Sequence, residues 1–243
     1  MKETLAASLN GVKGEVGTLN KRRGREDALH SALDMARIDR ATLNAMMGAM
    51  KDSFPLFRRY FQHKAKLLGK DKLAWYDLYA PVGKSAGTIS YEDARDFIIK
   101  NFANFSPELA SFAKRAYAGN WIDAEMREGK RGGGYCGGVE TVKESRIFVN
   151  FDGSADQIST IAHELGHAFH NECAYQQKKT IMQQDTPMTL AETASTFCET
   201  IVTEAVRAST TDPQEELAVL EAQIQNAAQI VVDIYSRYLF EKE

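Results

Sequence analysis

The residues with the clearest capacity for chemistry lie in the stretch IAHELGHAFHNE, residues 161–172. His163 and His167 are four residues apart, so on a helix they lie about 40° apart on one face. Two imidazoles placed in this way can bind one metal ion, and Glu164 can reach a water molecule held by that ion. The same H-E-x-x-H pattern also arises by chance on ordinary amphipathic helices. Alone, it leaves both interpretations open.

A third ligand is needed, because catalytic zinc usually takes three protein ligands and leaves its fourth position to water. The segment MTLAETASTFCETIVTEA, residues 188–205, offers Glu192 and Glu199, two helical turns apart. No lysine or arginine lies between Leu190 and Val206, and unpaired carboxylates on a largely apolar helix are costly unless cations or histidines face them. The pattern indicates Glu192 as the third ligand and Glu199 as the hydrogen-bond partner of a ligand histidine.

Other histidines and cysteines fit a metal site less well. His170 follows the motif closely and could resemble a third ligand, but we expect it beside the ligands or in the core rather than on the metal. Cys173 and Cys198 lie near the same helices, yet the C-x-x-C spacing of structural zinc sites is absent. We expect both to be buried small apolar residues, and we assign no chemistry to His30 or His63.

The elements that must position these residues are mostly helical. Apolar positions recur at helical spacing, and Ser154 with Gln157 forms a capping box just before the motif helix. A glycine-rich, β-prone stretch precedes it, and Gly166 inside the motif predicts that another element passes close to that helix. The predicted helices cover 26–50, 54–68, 90–102, 106–117, 155–177, 188–207 and 213–241, with short strands at 134–139 and 146–151.

These patterns predict a mainly α fold, a helical zincin-type catalytic domain with a small β-hairpin element at about 134–151 beside the H-E-x-x-H helix. We expect one domain over 1–243, with a helical part at 1–120 and a zinc-site part at 129–243. The formal net charge of -3 argues against partners such as nucleic acid or an anionic membrane. Three sparse cysteines and the lack of a signal-type apolar segment favour a cytoplasmic protein.

The chain also resembles a known family at these residues. HELGH (163–167) and AETASTFCE (191–199) are similar to the oligoendopeptidase F branch of the thimet-oligopeptidase-like zinc metallopeptidases. Further segments resemble that branch in the same order, so that the resemblance covers nearly the whole chain. They are WYDLYAPVG (75–83), SYEDA (90–94), GKRGGGYCGG (129–138) and RIFVNF (146–151).

The resemblance implies one Zn²⁺ per chain, bound by His163, His167 and Glu192. It implies that Glu164 polarises the zinc-bound water as general base and then passes its proton to the leaving amine. Glu199 would orient a ligand histidine. The implied activity is that of a zinc-dependent endopeptidase that hydrolyses short peptides.

The resemblance further implies that the RIFVNF strand presents an edge to which an extended peptide substrate adds its own backbone. Main-chain hydrogen bonds would then hold peptides with little side-chain selectivity. The expected substrate-binding residues are Arg146, Ile147, Phe148, Val149 and Asn150.

Two departures from the family pattern matter. The family's proteins are considerably longer, and downstream they carry a His- and Tyr-containing segment that stabilises the oxyanion, whereas here no histidine follows His170. We therefore expect an internal fragment or truncated relative, with a zinc-binding but catalytically weak chain as the alternative function. A purely structural helical protein with an accidental motif is a third hypothesis. Apolar surface left exposed by a fragment tends to drive self-association, so the sequence is compatible with a homodimer without requiring one.

Overall fold

The computed structural model describes residues 1–84, 87–177 and 179–242, and most of them are helical. Within these ranges no helix combines the length and apolar character needed to cross a membrane. The helices are α1 (Lys2–Arg22), α2 (His30–Ala36), α3 (Arg40–Leu67), α4 (Tyr91–Phe105), α5 (Pro107–Ala118), α6 (Ala155–Gln176), α7 (Ile181–Gln184), α8 (Met188–Ala191), α9 (Thr193–Ser209), α10 (Pro213–Ala228) and α11 (Tyr235–Lys242), with a 3₁₀ turn at Trp75–Asp77 and a π-helical segment at Gln229–Ile234.

A small sheet precedes α6. Its strands are β1 (Ile122–Asp123), β2 (Tyr135–Val139) and β3 (Glu144–Phe148), in the spatial order β1-β3-β2. β1 runs parallel to β3, with Ile122 opposite Ile147, and β2 runs antiparallel to β3, with Cys136 opposite Ile147. α6 packs against β2 and β3. The predicted mainly α fold with a small β element beside the motif helix is therefore confirmed.

The chain divides into two compact units, and the functional residues belong to the second. The first unit holds Met1–Ala49 with Pro187–Leu190, and the second holds Met50–Thr186 with Ala191–Glu243. In the first unit, the Thr189 hydroxyl donates a hydrogen bond of 2.7 Å to a main-chain carbonyl at the end of α2. The division into parts at 1–120 and 129–243 stays a prediction about the sequence.

Two predicted helix boundaries are wrong. The helix expected over 26–50 is interrupted after Ala36, because Arg37 adopts a left-handed conformation with φ 56° and ends α2. Only asparagine, aspartate and glycine visit this region routinely, so an arginine gives no sequence signal for it. The helix start expected at 54 is also absent, because α3 runs from Arg40 to Leu67 with Pro55 inside it.

The second unit has one hydrophobic core, and α6 runs through it. The core joins α4 and α5 to α6, β3 and α9. The Ser154 hydroxyl accepts a hydrogen bond from the Gln157 N–H, so that α6 begins at Ala155, where the capping pattern predicts it. The fully buried side chains of Ile161 and Leu165 face the core. The buried residues of this core are Ala94, Ile98, Phe102, Leu109, Ala110, Phe112, Ala113, Ala116, Trp121, Ile147, Val149, Ile158, Ile161, Ala162, Leu165, Ala168, Cys198 and Val202.

α6 and α9 are in close main-chain contact at Gly166. A Cβ atom at this position would lie 2.5 Å from the Ala194 carbonyl oxygen and 2.6 Å from Ser195 Cα. Such contacts are far inside van der Waals distance and involve main-chain atoms, so a side chain here would push the helices apart. The close passage of another element, predicted from this glycine, is confirmed.

Gly166→Ala should therefore destabilise the protein, even though alanine is the better helix former. We expect a loss of about 1–3 kcal/mol in the free energy of unfolding, since the added methyl overpacks a main-chain contact. The free energy of unfolding is measured by urea denaturation, with circular dichroism as the signal.

Gly48→Ala is the matched control, because Gly48 lies inside α3 and a Cβ added there would meet no atom within 4 Å. This variant should be neutral or more stable by up to ~1 kcal/mol. Equal destabilisation by both substitutions would contradict the packing argument.

Candidate metal centre

Three predicted ligands converge between α6 and the start of α9. Glu192 Oε2 lies 3.1 Å from His163 Nε2 and 3.2 Å from His167 Nε2. One ligand atom from each of the three residues falls within 4.8 Å of the other two. The four-residue spacing on α6 turns both imidazoles to one face, with ring centroids 4.9 Å apart.

Glu192 reaches the histidines from a break in the chain rather than from within a helix. α8 ends at Ala191, and Glu192 is the N-cap of α9, with φ -88° and ψ 2°. The fully buried hydroxyl of Ser195 lies 2.8 Å from Glu192 Oε2 and 3.0 Å from its carbonyl oxygen. The continuous helix predicted over 188–207 is wrong at this residue, where the N-cap conformation places the carboxylate beside the two histidines.

Glu199 fixes the ring of His163 from the other side. Its Oε2 lies 3.0 Å from His163 Nδ1, and this hydrogen bond is the main reason that the pKa of His163 is raised. If Nδ1 donates to Glu199, the neutral ring turns its Nε2 lone pair toward the Glu192 carboxylate, an arrangement that repels. Only a proton or a metal ion between the two atoms makes it favourable.

The donor set and its spacing match those of catalytic zinc sites. Tetrahedral zinc holds nitrogen and oxygen ligands at 2.0–2.2 Å, which places neighbouring ligand atoms about 3.4 Å apart. The two separations from Glu192 to the histidines, 3.1 and 3.2 Å, are close to that value. Burial lowers the pKa of His167, which favours the neutral form that a metal ligand must have.

Glu164 stands beside the ligands with one oxygen unused. The residue is only 6% exposed, and no described residue forms a hydrogen bond with its Oε2. Burial raises the pKa of Glu164 to about 7. A buried carboxylate that lacks a protein partner and has a pKa near neutrality can accept and return a proton.

The glycine-rich segment covers the other side of this carboxylate. A Cβ atom on Gly134 would lie 3.1 Å from Glu164 Oε1 and 3.3 Å from the Phe148 carbonyl oxygen. The absence of a side chain therefore lets the main chain approach Glu164 closely.

His170 lies outside the group of converging ligand atoms. Its Nε2 is 3.4 Å from the Thr186 hydroxyl, in the segment that leads toward α8. Its expected place beside the ligands stays a prediction. The role of Ser195 was missed at the sequence level, because it depends on the helix break at Glu192, which the sequence does not signal.

The edge position expected for the strand at 146–151 is wrong. β3 is the central strand of the described sheet: the Ile147 N–H donates to the Trp121 carbonyl at 2.8 Å, while β2 pairs with its other side. Ile147 and Val149 also bury their side chains in the core. Within the described sheet, β1 and β2 are the edge strands and β3 has a neighbour on each side. Peptide binding by Arg146, Ile147, Phe148, Val149 and Asn150 stays a prediction.

Comparison with known proteins relates this chain to peptidases. The sequence pattern of peptidase family M3 matches residues 2–237. An oligoendopeptidase F homolog of Lactococcus lactis subsp. lactis is 31% identical over 198 residues, which is 82% of this chain and 33% of the relative. Oligopeptidase PepF of Bacillus subtilis is 28% identical over 225 residues, which is 90% of this chain and 32% of the relative. The chain thus spans about a third of the length of the curated relatives it matches.

Solved structures share the fold. A peptidase structure from Chlamydophila abortus aligns with a TM-score of 0.77 at 23% identity, over 93% of this chain and 38% of that one. The oligoendopeptidase-F of Enterococcus faecium aligns with a TM-score of 0.62 at 21% identity, over 98% of this chain and 34% of that one. The resemblance to oligoendopeptidase F is confirmed, and the chain belongs to peptidase family M3.

Proposed function

We propose that this chain binds one zinc ion through His163, His167 and Glu192, and that it hydrolyses peptide bonds in short peptides with Glu164 as general base. The observation that carries the proposal is the convergence of three ligand atoms within 4.8 Å beside a buried carboxylate oxygen without a partner. The printed names of the relatives, oligoendopeptidase and oligopeptidase, support short peptides as the substrate class.

Different residues act as general base and as hydrogen-bond partners of the ligands. When bound, zinc would polarise the scissile carbonyl and lower the pKa of a bound water. Glu164 takes the proton of the attacking water at Oε2 and later delivers it to the leaving amine. Glu199 keeps the proton on His163 Nδ1, and Ser195 holds the Glu192 carboxylate in place. Two of the three ligands, His163 and Glu192, therefore have a hydrogen-bond partner that fixes their direction.

A second function, zinc binding with weak turnover, is favoured by a different observation. Residues 171–243 contain no histidine that could donate a hydrogen bond to a developing oxyanion. Losing one oxyanion donor typically costs about 10²–10³ in turnover. Such a chain would hold zinc and peptides and cut them slowly.

Glu192→Ala should remove zinc from the protein. Elemental analysis should find about one zinc per chain in the parent and a sharply reduced content in the variant, because two ligands rarely suffice. Glu204→Ala is the control, since Glu204 lies on the same helix and pairs with Arg207 instead of the histidines. Zinc retained in full by Glu192→Ala would rule out the three-ligand site.

Glu164→Gln should abolish peptide cleavage while zinc stays bound. A fluorogenic short peptide should be cut at least ~10²-fold more slowly, since the amide cannot take a proton. Glu172→Gln serves as the control on the same helix, where Glu172 pairs with Arg115. Unchanged cleavage by Glu164→Gln would refute the assigned base, whereas zinc binding without measurable cleavage by the parent chain would favour the second function.

Glu199→Gln should weaken zinc binding without removing it. The amide keeps the shape but loses the charge that favours a proton on His163 Nδ1. Loss of such a partner typically costs about 10–100-fold in metal affinity. Competition with a chromophoric chelator measures the dissociation constant, and an affinity equal to that of the parent would show that Glu199 does not act through the ligand.

A further inference from the structure

We propose that Asn150 is a positioning residue whose amide N–H groups clamp the glycine-rich loop, residues 131–134, against Glu164 and are not donated to a substrate. The inference rests on the proposed function for its catalytic consequence. The clamp itself is a property of the fold and can be tested without turnover.

The Asn150 side chain donates its N–H groups to main-chain carbonyls of the loop. Its Nδ2 lies 2.8 Å from the Arg131 carbonyl oxygen and 3.0 Å from the Gly133 carbonyl oxygen. A primary amide has two N–H groups, so both are used inside the protein and neither is left for a substrate carbonyl.

The loop needs such a clamp because its own residues cannot anchor it. Residues 131–134 are exposed and form no helix or strand, and three of them are glycines. Without apolar side chains to bury, and with the large conformational freedom of glycine, this segment gains its order from hydrogen bonds made by other residues.

Lys130 anchors the start of the loop in the same place. Its side chain is 2% exposed, and its Nζ lies 2.6 Å from the Val149 carbonyl oxygen and 2.7 Å from the Glu125 carbonyl oxygen. Nζ also lies 3.1 Å from a carboxylate oxygen of Asp123. The two consecutive residues after β3, Val149 and Asn150, therefore hold both the start and the body of the loop.

The end of the loop lies on the candidate general base. Gly134 approaches so closely that a Cβ there would lie 3.1 Å from Glu164 Oε1. The loop backbone is thus part of the wall that buries Glu164. If the loop lifts, water reaches the carboxylate and its oxygens lose their fixed direction, which weakens a base whose effect depends on placement.

Asn150→Asp tests the clamp with almost no change in shape, because it replaces two donors with an acceptor that repels both carbonyls. We expect trypsin to cut after Arg131 about tenfold faster, since such cleavage follows local opening. Carbodiimide labelling of Glu164, read by mass spectrometry, should rise in parallel, and zinc content should stay unchanged. The kcat for a short peptide should fall about 10–100-fold while KM stays near that of the parent.

Two further variants complete the design. Asn101→Asp is the matched control, because Asn101 also donates its amide to a main-chain carbonyl, that of Phe97 inside α4, and it should change none of these readouts. Asn150→Ser keeps one donor and should give intermediate cleavage by trypsin. It also preserves the test if the aspartate variant fails to fold.

The outcomes separate the alternatives. Unchanged tryptic cleavage and labelling in both Asn150 variants would overturn the clamp. Faster cleavage with a rise in KM and an unchanged kcat would overturn the positioning role and make Asn150 a substrate-binding residue. If the parent chain cuts no peptide at all, the proposed function fails, while trypsin and carbodiimide still decide whether Asn150 holds the loop over Glu164.

Discussion

The candidate centre depends on the close approach of α6 and α9 at Gly166. The Ala194 and Ser195 main chain lies against this glycine, where a Cβ would come within 2.6 Å or less of it. That contact brings the Glu192 and Glu199 carboxylates to opposite sides of the His163 ring, at 3.1 and 3.0 Å. Because interiors are close-packed, even one methyl group here would move both carboxylates relative to the imidazoles.

The electrostatics of the centre follow from that packing. Two carboxylates face one imidazole, and a third carboxylate, Glu164, is buried next to it. Negative groups gathered in a partly buried site destabilise one another unless positive charge joins them. Burial raises the pKa of Glu164 to about 7, which reduces its charge, while the Glu192 and Glu199 carboxylates both lie against the His163 ring, where a dication would be favoured. The close approach of these carboxylates is unfavourable without a cation, and for the same reason it favours the binding of a metal ion.

Sequence patterns predicted the motif helix and the three residues that converge beside it because these depend on local rules: a capping serine at 154, imidazoles one turn apart and unpaired glutamates. The break at Glu192 has no local signal, since the surrounding residues favour a helix and only the histidines and Ser195 turn the carboxylate inward. The central position of β3 was missed for a similar reason. Its partner β1 has two residues, too few to be recognised from sequence, and the pairing is non-local.

β3 connects the core to the glycine-rich loop, and this explains why a central strand serves the site better than an edge strand would. Ile147 and Val149 are buried in the core beside α6, so the strand cannot shift relative to the motif helix without breaking that packing. Asn150, the next residue, grips the loop, whose Gly134 lies on Glu164. Strand pairing on both sides stiffens the connection further. The position of the glycine-rich loop is thus set by the rigid strand β3 rather than by the loop's own sequence. Its glycines, which have no side chains, can therefore lie close to Glu164.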